Sequence, residues 1–164
     1  MSPESDLQRA ARELIALEGW LLDQRDWDGW LNLYLEEAEY WLPCWDGEHA
    51  LTSDPNAELS LIYYGNRAGL EGRVFRLRTG KSLASTPLPR TCHMTQIARI
   101  TAQDGDLIVE LNFTTHGFRV NQQHYFFGQQ THRLRPTAAG LKIAKRTVIV
   151  ANDRIPNVLD IYSV

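Results

Sequence analysis

Leu7, Ala10, Leu14, Leu17 and Leu21 recur at alternating spacings of three and four. That is the period of one apolar stripe on a helix, and Ser2-Pro3-Glu4 supplies start signals for a helix over about residues 3–23. Asp26 then predicts the cap of a short second helix carrying Trp27, Trp30, Leu31 and Tyr34, ending before Glu36-Glu37. The pattern changes at 39–43, where Glu-Tyr-Trp-Leu-Pro predicts a strand stopped by its proline. Turn formers fill 46–57, and 58–64 reads as a short apolar strand. Asn66 predicts a third helix cap, with Leu70, Val74 and Leu77 inward and Gly80 as the stop. Residues 81–89 read as a loop.

From about Arg90 to Ala151 the period is that of antiparallel strands. Asp104-Gly105 is a hairpin signal. Beyond it Leu107, Val109, Leu111 and Phe113 alternate with Ile108, Glu110, Asn112 and Thr114. Two more strands, 123–135 and 141–151, flank a turn at Pro136 to Gly140, and 155–164 is a short apolar-rich tail. Helices first and a long meander afterwards predict an α+β fold. The sheet is mostly antiparallel and curved into a cone or half-barrel around about three N-terminal helices. The 164 residues show no repeat or linker and read as a single domain, 1–164.

Charge and composition narrow the function classes. Seventeen Lys/Arg against twenty Asp/Glu give a net charge of −3, with no basic excess to attract nucleic acid or an anionic membrane. No apolar run approaches the ~20 residues of a membrane span. The start, MSPESDLQRAARE, has no apolar signal core. The expected location is the cytoplasm, and Cys44 and Cys92 are too few for a disulfide framework.

Metal chemistry finds little support in the pattern. There is no His-Glu-x-x-His among His49, His93, His116, His124 and His132. On one strand His124 and His132 would lie roughly 25 Å apart, too far to share an ion. Cys92 and His93 point to opposite faces of a strand, which argues against a nucleophile–base pair. Cys44 reads as a small core residue. Gly65, Gly69 and Gly72 around a helix start match no phosphate-binding fingerprint, so close packing is their expected role. All five tryptophans fall within the first 45 residues, and packing is favoured over a ligand pocket. Asp23, Asp28, Tyr34, His93 and Tyr125 are acid–base candidates with no telling spacing. The basic run Arg67, Arg73, Arg76, Arg78, Lys81, opposed only by Glu71, reads equally as a salt-bridging interface or a solvated face.

Three stretches together carry a resemblance: YWLPCWDGEHALTSDPNAELSLIYYGNRAGLEGRVFRLRTG at 40–80, TPLPRTCH at 86–93 and IVANDRIPNVLDIYSV at 149–164. The chain resembles the small (β) subunit of aromatic-ring-hydroxylating dioxygenases, of the benzoate, toluate, anthranilate and halobenzoate type. The resemblance implies a cone fold similar to nuclear transport factor 2 and scytalone dehydratase. It also implies a non-catalytic role beside a large (α) subunit, commonly three of each, in an enzyme fed by a separate reductase. That large subunit would hold the Rieske [2Fe-2S] cluster and the mononuclear Fe(II), with no cofactor in this chain. The residues agree: Cys44-Trp45-Asp46 and Cys92-His93-Met94 are not the Cys-x-His and Cys-x-x-His pairs of a Rieske centre. Interface candidates toward a partner are Arg67, Arg73, Arg76, Arg78, Arg90 and Trp45. The rival expectations are a stand-alone cone-fold enzyme using Asp28, Tyr34 and His93, or a small-molecule binding module.

Overall fold

The computed structural model describes residues 5–80, 85–156 and 158–164. Helix α1 (Asp6–Asp23) is followed by α2 (Trp27–Leu31), strands β1 (Tyr34–Pro43) and β2 (Ser60–Tyr64), and helix α3 (Arg67–Arg78). Four strands complete the sheet: β3 (Arg90–Gln103), β4 (Asp106–Arg119), β5 (Gln122–Thr137) and β6 (Gly140–Val150). A 3₁₀ turn, Ile161–Ser163, lies near the end of the chain.

Residues 2–4 lie outside the described residues, but α1 starts later than expected, because Ser5 is its cap. The Ser5 hydroxyl accepts the Gln8 N–H while the Gln8 side chain accepts the Ser5 N–H, a reciprocal box that satisfies two free donors. The buried face is also not the expected stripe. Ala11, Leu14, Ile15, Glu18 and Leu22 face inward, whereas Leu7 and Leu17 are exposed. Leu14 belongs to both stripes and Leu21 packs at the edge of the core, so the apolar count along the sequence finds a stripe rotated part of a turn from the true one, which a buried acid, Glu18, interrupts.

Helix α2 is capped by Asp26, which accepts the Gly29 N–H, and it buries Trp27 and Trp30. Tyr34 is not on it but opens β1, which is longer than predicted. A register shift between Tyr34 and Glu39 leaves Glu36 and Glu37 both exposed, and so hides the strand period. Helix α3 forms as predicted: Asn66 accepts the Ala68 N–H, Leu70, Val74 and Leu77 are buried, and Gly80 follows with φ +64°. A Cβ on Gly69 would lie 2.4 Å from the Tyr64 ring, so this glycine does serve close packing. Losing the α3 cap by Asn66→Ala should cost about 1 kcal/mol in urea unfolding, while Asn66→Asp keeps the stability.

The strand order is β2-β1-β6-β5-β4-β3, antiparallel except for the parallel pair β1/β6. Asp104-Gly105 makes its two-residue turn with both residues left-handed, at φ 51° and 82°. Val120-Asn121 joins β4 to β5 the same way, at φ 50° and 60°, without a glycine to announce it. Leu107, Val109, Leu111 and Phe113 of β4 are buried as predicted, with Phe126 and Leu134 of β5 and Ile143, Val148 and Val150 of β6. The helices cover this inner face, α1 crossing β3 and α3 lying on β1. The tail closes the core: Ile161, Tyr162 and Val164 are buried, and Arg73 holds Asp160 through two guanidinium nitrogens.

Candidate functional site

Three charged or titratable side chains meet in the interior. Glu18 of α1, His132 of β5 and Arg146 of β6 are each at most 3% exposed. His132 Nε2 lies 2.8 Å from Glu18 Oε1, and Arg146 Nε lies 3.5 Å from the same oxygen. The Tyr34 hydroxyl donates to Glu18 Oε2, and Arg146 Nη2 donates to Gln130 Oε1 at 3.2 Å. The Arg146 guanidinium also lies 5.4 Å from the centre of the Tyr40 ring. Burial alone would raise the Glu18 pKa. The Arg146 charge, with the hydrogen bonds from His132 and Tyr34, outweighs it and holds Glu18 at about 2. Burial pushes the His132 pKa down despite Glu18, so a neutral imidazole donates through Nε2. The cluster ties helix to sheet where a cone-fold enzyme would keep an open pocket.

A second, partly buried pair lies beside it. Asp23, at the end of α1, contacts His93 Nδ1 of β3 at 2.5 Å through Oδ1 and accepts the His93 backbone N–H at 3.0 Å through Oδ2. Thr91 donates to Oδ1 at 2.9 Å. Burial favours the neutral acid, but the bonds from His93 and Thr91 prevail and leave the Asp23 pKa below its ordinary value. His93 Nε2 is buried with no hydrogen-bond partner. These are the parts of an acid–base dyad, and their 70-residue separation gave no sequence signal. The cavity that His93 lines with Glu18, Phe113, Gln130 and Arg146 is about 10 Å³, at the lower limit of what can hold a single water. The expected set of Asp28, Tyr34 and His93 is not assembled. Asp28 is at the surface, 2.9 Å from Arg78, Tyr34 is engaged by Glu18, and His93 by Asp23.

A large open concavity is on the other face of the sheet. It measures about 1050 Å³ and spans β3, β4 and β5, with residues 151–156 along its rim. The register sets Cys92, His116 and Tyr125 in one row and Arg90, Phe118 and Gln123 in the next. Met94, Phe118, Tyr125 and Phe127 are 39–52% exposed, an unusual concentration of large apolar side chains on one sheet face. Arg90 lies 5.2 Å over the Phe118 ring.

The partner-interface candidates fall into two groups. Arg90 is in the groove, and Trp45 is at the same end of the sheet, its indole N–H donating to Val150 O at 2.8 Å. The other four are on α3. Arg67 bonds Tyr34 O and Glu71, Arg73 bonds Asp160, and Arg78 bonds Asp28, while Arg76 is exposed. So α3 uses much of its basic charge to fasten itself to the rest of the chain.

Among the described residues no group of three or more His, Cys, Asp or Glu side chains converges to hold a metal. Cys44 is half-buried rather than a core residue, since its strand has ended and its N–H reaches Thr52 Oγ1, and Cys92 is exposed in the groove. The donor set fits neither a Rieske cluster nor a facial triad. No helix of the described residues is long and apolar enough to cross a membrane.

Comparison with known proteins gives the architecture a family. Residues 18–157 match the family model described as "Ring hydroxylating beta subunit". The chain belongs to the ring-hydroxylating β-subunit family. It is 41% identical to the 2-halobenzoate 1,2-dioxygenase small subunit of Burkholderia cepacia over 148 residues, 90% of each chain. Over 160 residues it is 39% identical to the anthranilate 1,2-dioxygenase small subunit of Acinetobacter baylyi, covering 97% of this chain and 98% of that one. The crystal structure of the benzoate 1,2-dioxygenase β subunit of Burkholderia mallei matches with a TM-score of 0.78 and 32% identity over 100% of both chains. An NTF2-like protein with a cystatin-like fold, at 17% identity and a TM-score of 0.64, shares the fold alone. The expected α+β fold and the family resemblance are therefore correct, and the relatives are components of dioxygenases.

Proposed function

We propose that this β subunit acts as a non-catalytic structural component, a single domain that braces a large catalytic subunit of an aromatic-ring-hydroxylating dioxygenase. The large subunit would hold the Rieske cluster and mononuclear Fe(II), take electrons from a reductase, and dihydroxylate an aromatic carboxylate of the benzoate or anthranilate class. Three copies of each subunit in a closed ring, in the cytoplasm, is the assembly this reading implies.

The observation that carries it is the contrast between the two faces of the sheet. The inner face is filled by the Glu18–His132–Arg146 cluster, with about 10 Å³ left beside His93. The outer face presents exposed aromatic side chains along a groove of about 1050 Å³. A cone with a filled interior and an apolar exterior is suited to assembly rather than turnover. Light scattering of the chain alone and co-expressed with its large subunit tests this. A mixed oligomer with equal copies is expected. A small subunit that stays apart from the large one would overturn the reading.

A further inference from the structure

We propose that the outer groove on β3–β5 is the seat for the acidic β1–β2 loop, residues 44–59, of a second copy of this chain, in a head-to-tail contact. This rests on the reading that the small subunits self-associate, and adds which surfaces meet.

Charge is divided unevenly along the chain. Residues 26–66 contain nine Asp/Glu and no Lys or Arg. Residues 67–164 contain fourteen Lys/Arg against six Asp/Glu, a net of +8. Several acids of the first segment are answered within the molecule: Asp28 by Arg78, Glu37 by Arg135 and Glu39 by Lys145. Those of the loop differ. Among the described residues no Lys or Arg is paired with Asp46, Glu48, Asp54 or Glu58. Beside these acids Trp45, Leu61 and Leu59 are 43%, 37% and 81% exposed. The loop is thus an acidic, apolar-tipped surface. The groove is its complement, with aromatic side chains on its floor and Arg90 and Arg154 among its walls, against the single acid Asp153.

The topology makes the match intermolecular. The loop extends the β2–β1 edge of the sheet, and the groove occupies the β5-β4-β3 side of the same six strands. Both lie at one end, because Trp45 bonds Val150 and Asn152 caps the Phe127 N–H. Complementary patches on opposite edges generate heterologous contacts, which close into a ring when the rotation allows. Groove-on-groove pairing would instead set Arg90 and Arg154 against their own copies, which like-charge repulsion disfavours.

Charge reversal on the full chain tests this by sedimentation. Asp46→Lys with Glu48→Lys and Asp54→Lys, or separately Arg90→Glu with Arg154→Glu, should weaken self-association roughly tenfold or more. Combining the two sets should restore much of it. Association unchanged by either set overturns the assignment. A photo-crosslinker in place of Tyr125, which leaves every charge intact, should capture residues 44–59 of a neighbouring copy. Crosslinks elsewhere on the small subunit also overturn it. Co-purification with the large subunit separates the two levels: if wild type joins it while the reversals have no effect, only this interface is wrong. If wild type neither self-associates nor joins it, the structural-subunit reading fails with it.

Discussion

Replacing Glu18 by Leu should cost about 3–5 kcal/mol, because it leaves the Arg146 guanidinium buried without a counter-charge. Arg146 is 2% exposed, and the polar groups left beside it, Gln130 and Tyr34, are uncharged. Removing both charges, as Glu18→Leu with Arg146→Met, should recover most of the loss, since an apolar pair of similar volume carries no desolvation penalty. Acid sensitivity offers an independent readout. The folded-state pKa of Glu18, about 2, is depressed from its ordinary 4.5. Its contribution to stability is therefore fully present above about pH 4.5 and is lost as pH falls toward 2. His132 makes wild type and Glu18→Leu both acid-sensitive, and so does not set the gap between them. Its folded pKa is below the ordinary 6.5, so the unfolded chain takes up a proton first and stability declines as pH drops through that range. Asp23 and Asp106 also have depressed pKa values and contribute to acid loss, but they are present in both proteins. Urea unfolding at pH 7, 5 and 3 should show the gap between wild type and Glu18→Leu narrowing with acid. An equal gap at all three values would mean that the carboxylate does not hold the cluster.

The same residue explains where sequence reasoning stops. Helix α3 was legible because its cap, its three inward residues and its terminal glycine all agree, and β4 because it alternates cleanly over eight positions. Helix α1 was legible as a helix but not in its orientation. Its buried face includes Glu18, which is tolerable only because His132, 114 residues away, and Arg146 arrive from the sheet. Long-range electrostatic pairing leaves no periodic trace. The Asp23–His93 contact was hidden for the same reason, although both residues were candidates individually. Tyr34 was misplaced because a register shift broke the alternation that would have marked β1. The charge division that motivates the proposed head-to-tail contact was present in the sequence throughout. Its meaning depends on sheet order, which sets the acidic loop and the basic groove at opposite edges.

Gly128→Ala should be about as damaging, at roughly 3 kcal/mol or more, for a reason confined to the backbone. Gly128 lies in the middle of β5 with φ +154°, where a side chain is strained, and opposes Val150 on β6. A Cβ there would lie 1.9 Å from the Ile149 carbonyl oxygen and 3.0 Å from the Ala151 nitrogen. Both are main-chain atoms of the neighbouring segment, so no rotamer change relieves the overlap and the two strands must separate. The adjacent contacts are then displaced: Ala151 N–H to Phe127 O, at 2.7 Å, and Phe127 N–H to Asn152 Oδ1, at 3.0 Å. These bonds hold residues 151–154 against the groove, so the variant should lose self-association as well as stability. Gly72→Ala is the matched control. It sits within α3 with open space around the new methyl group, and its helical backbone favours alanine by about 1 kcal/mol. Chemical unfolding should therefore move in opposite directions for the two glycines. Equal stability of Gly128→Ala and wild type would show that β5 and β6 do not approach as closely as their register requires.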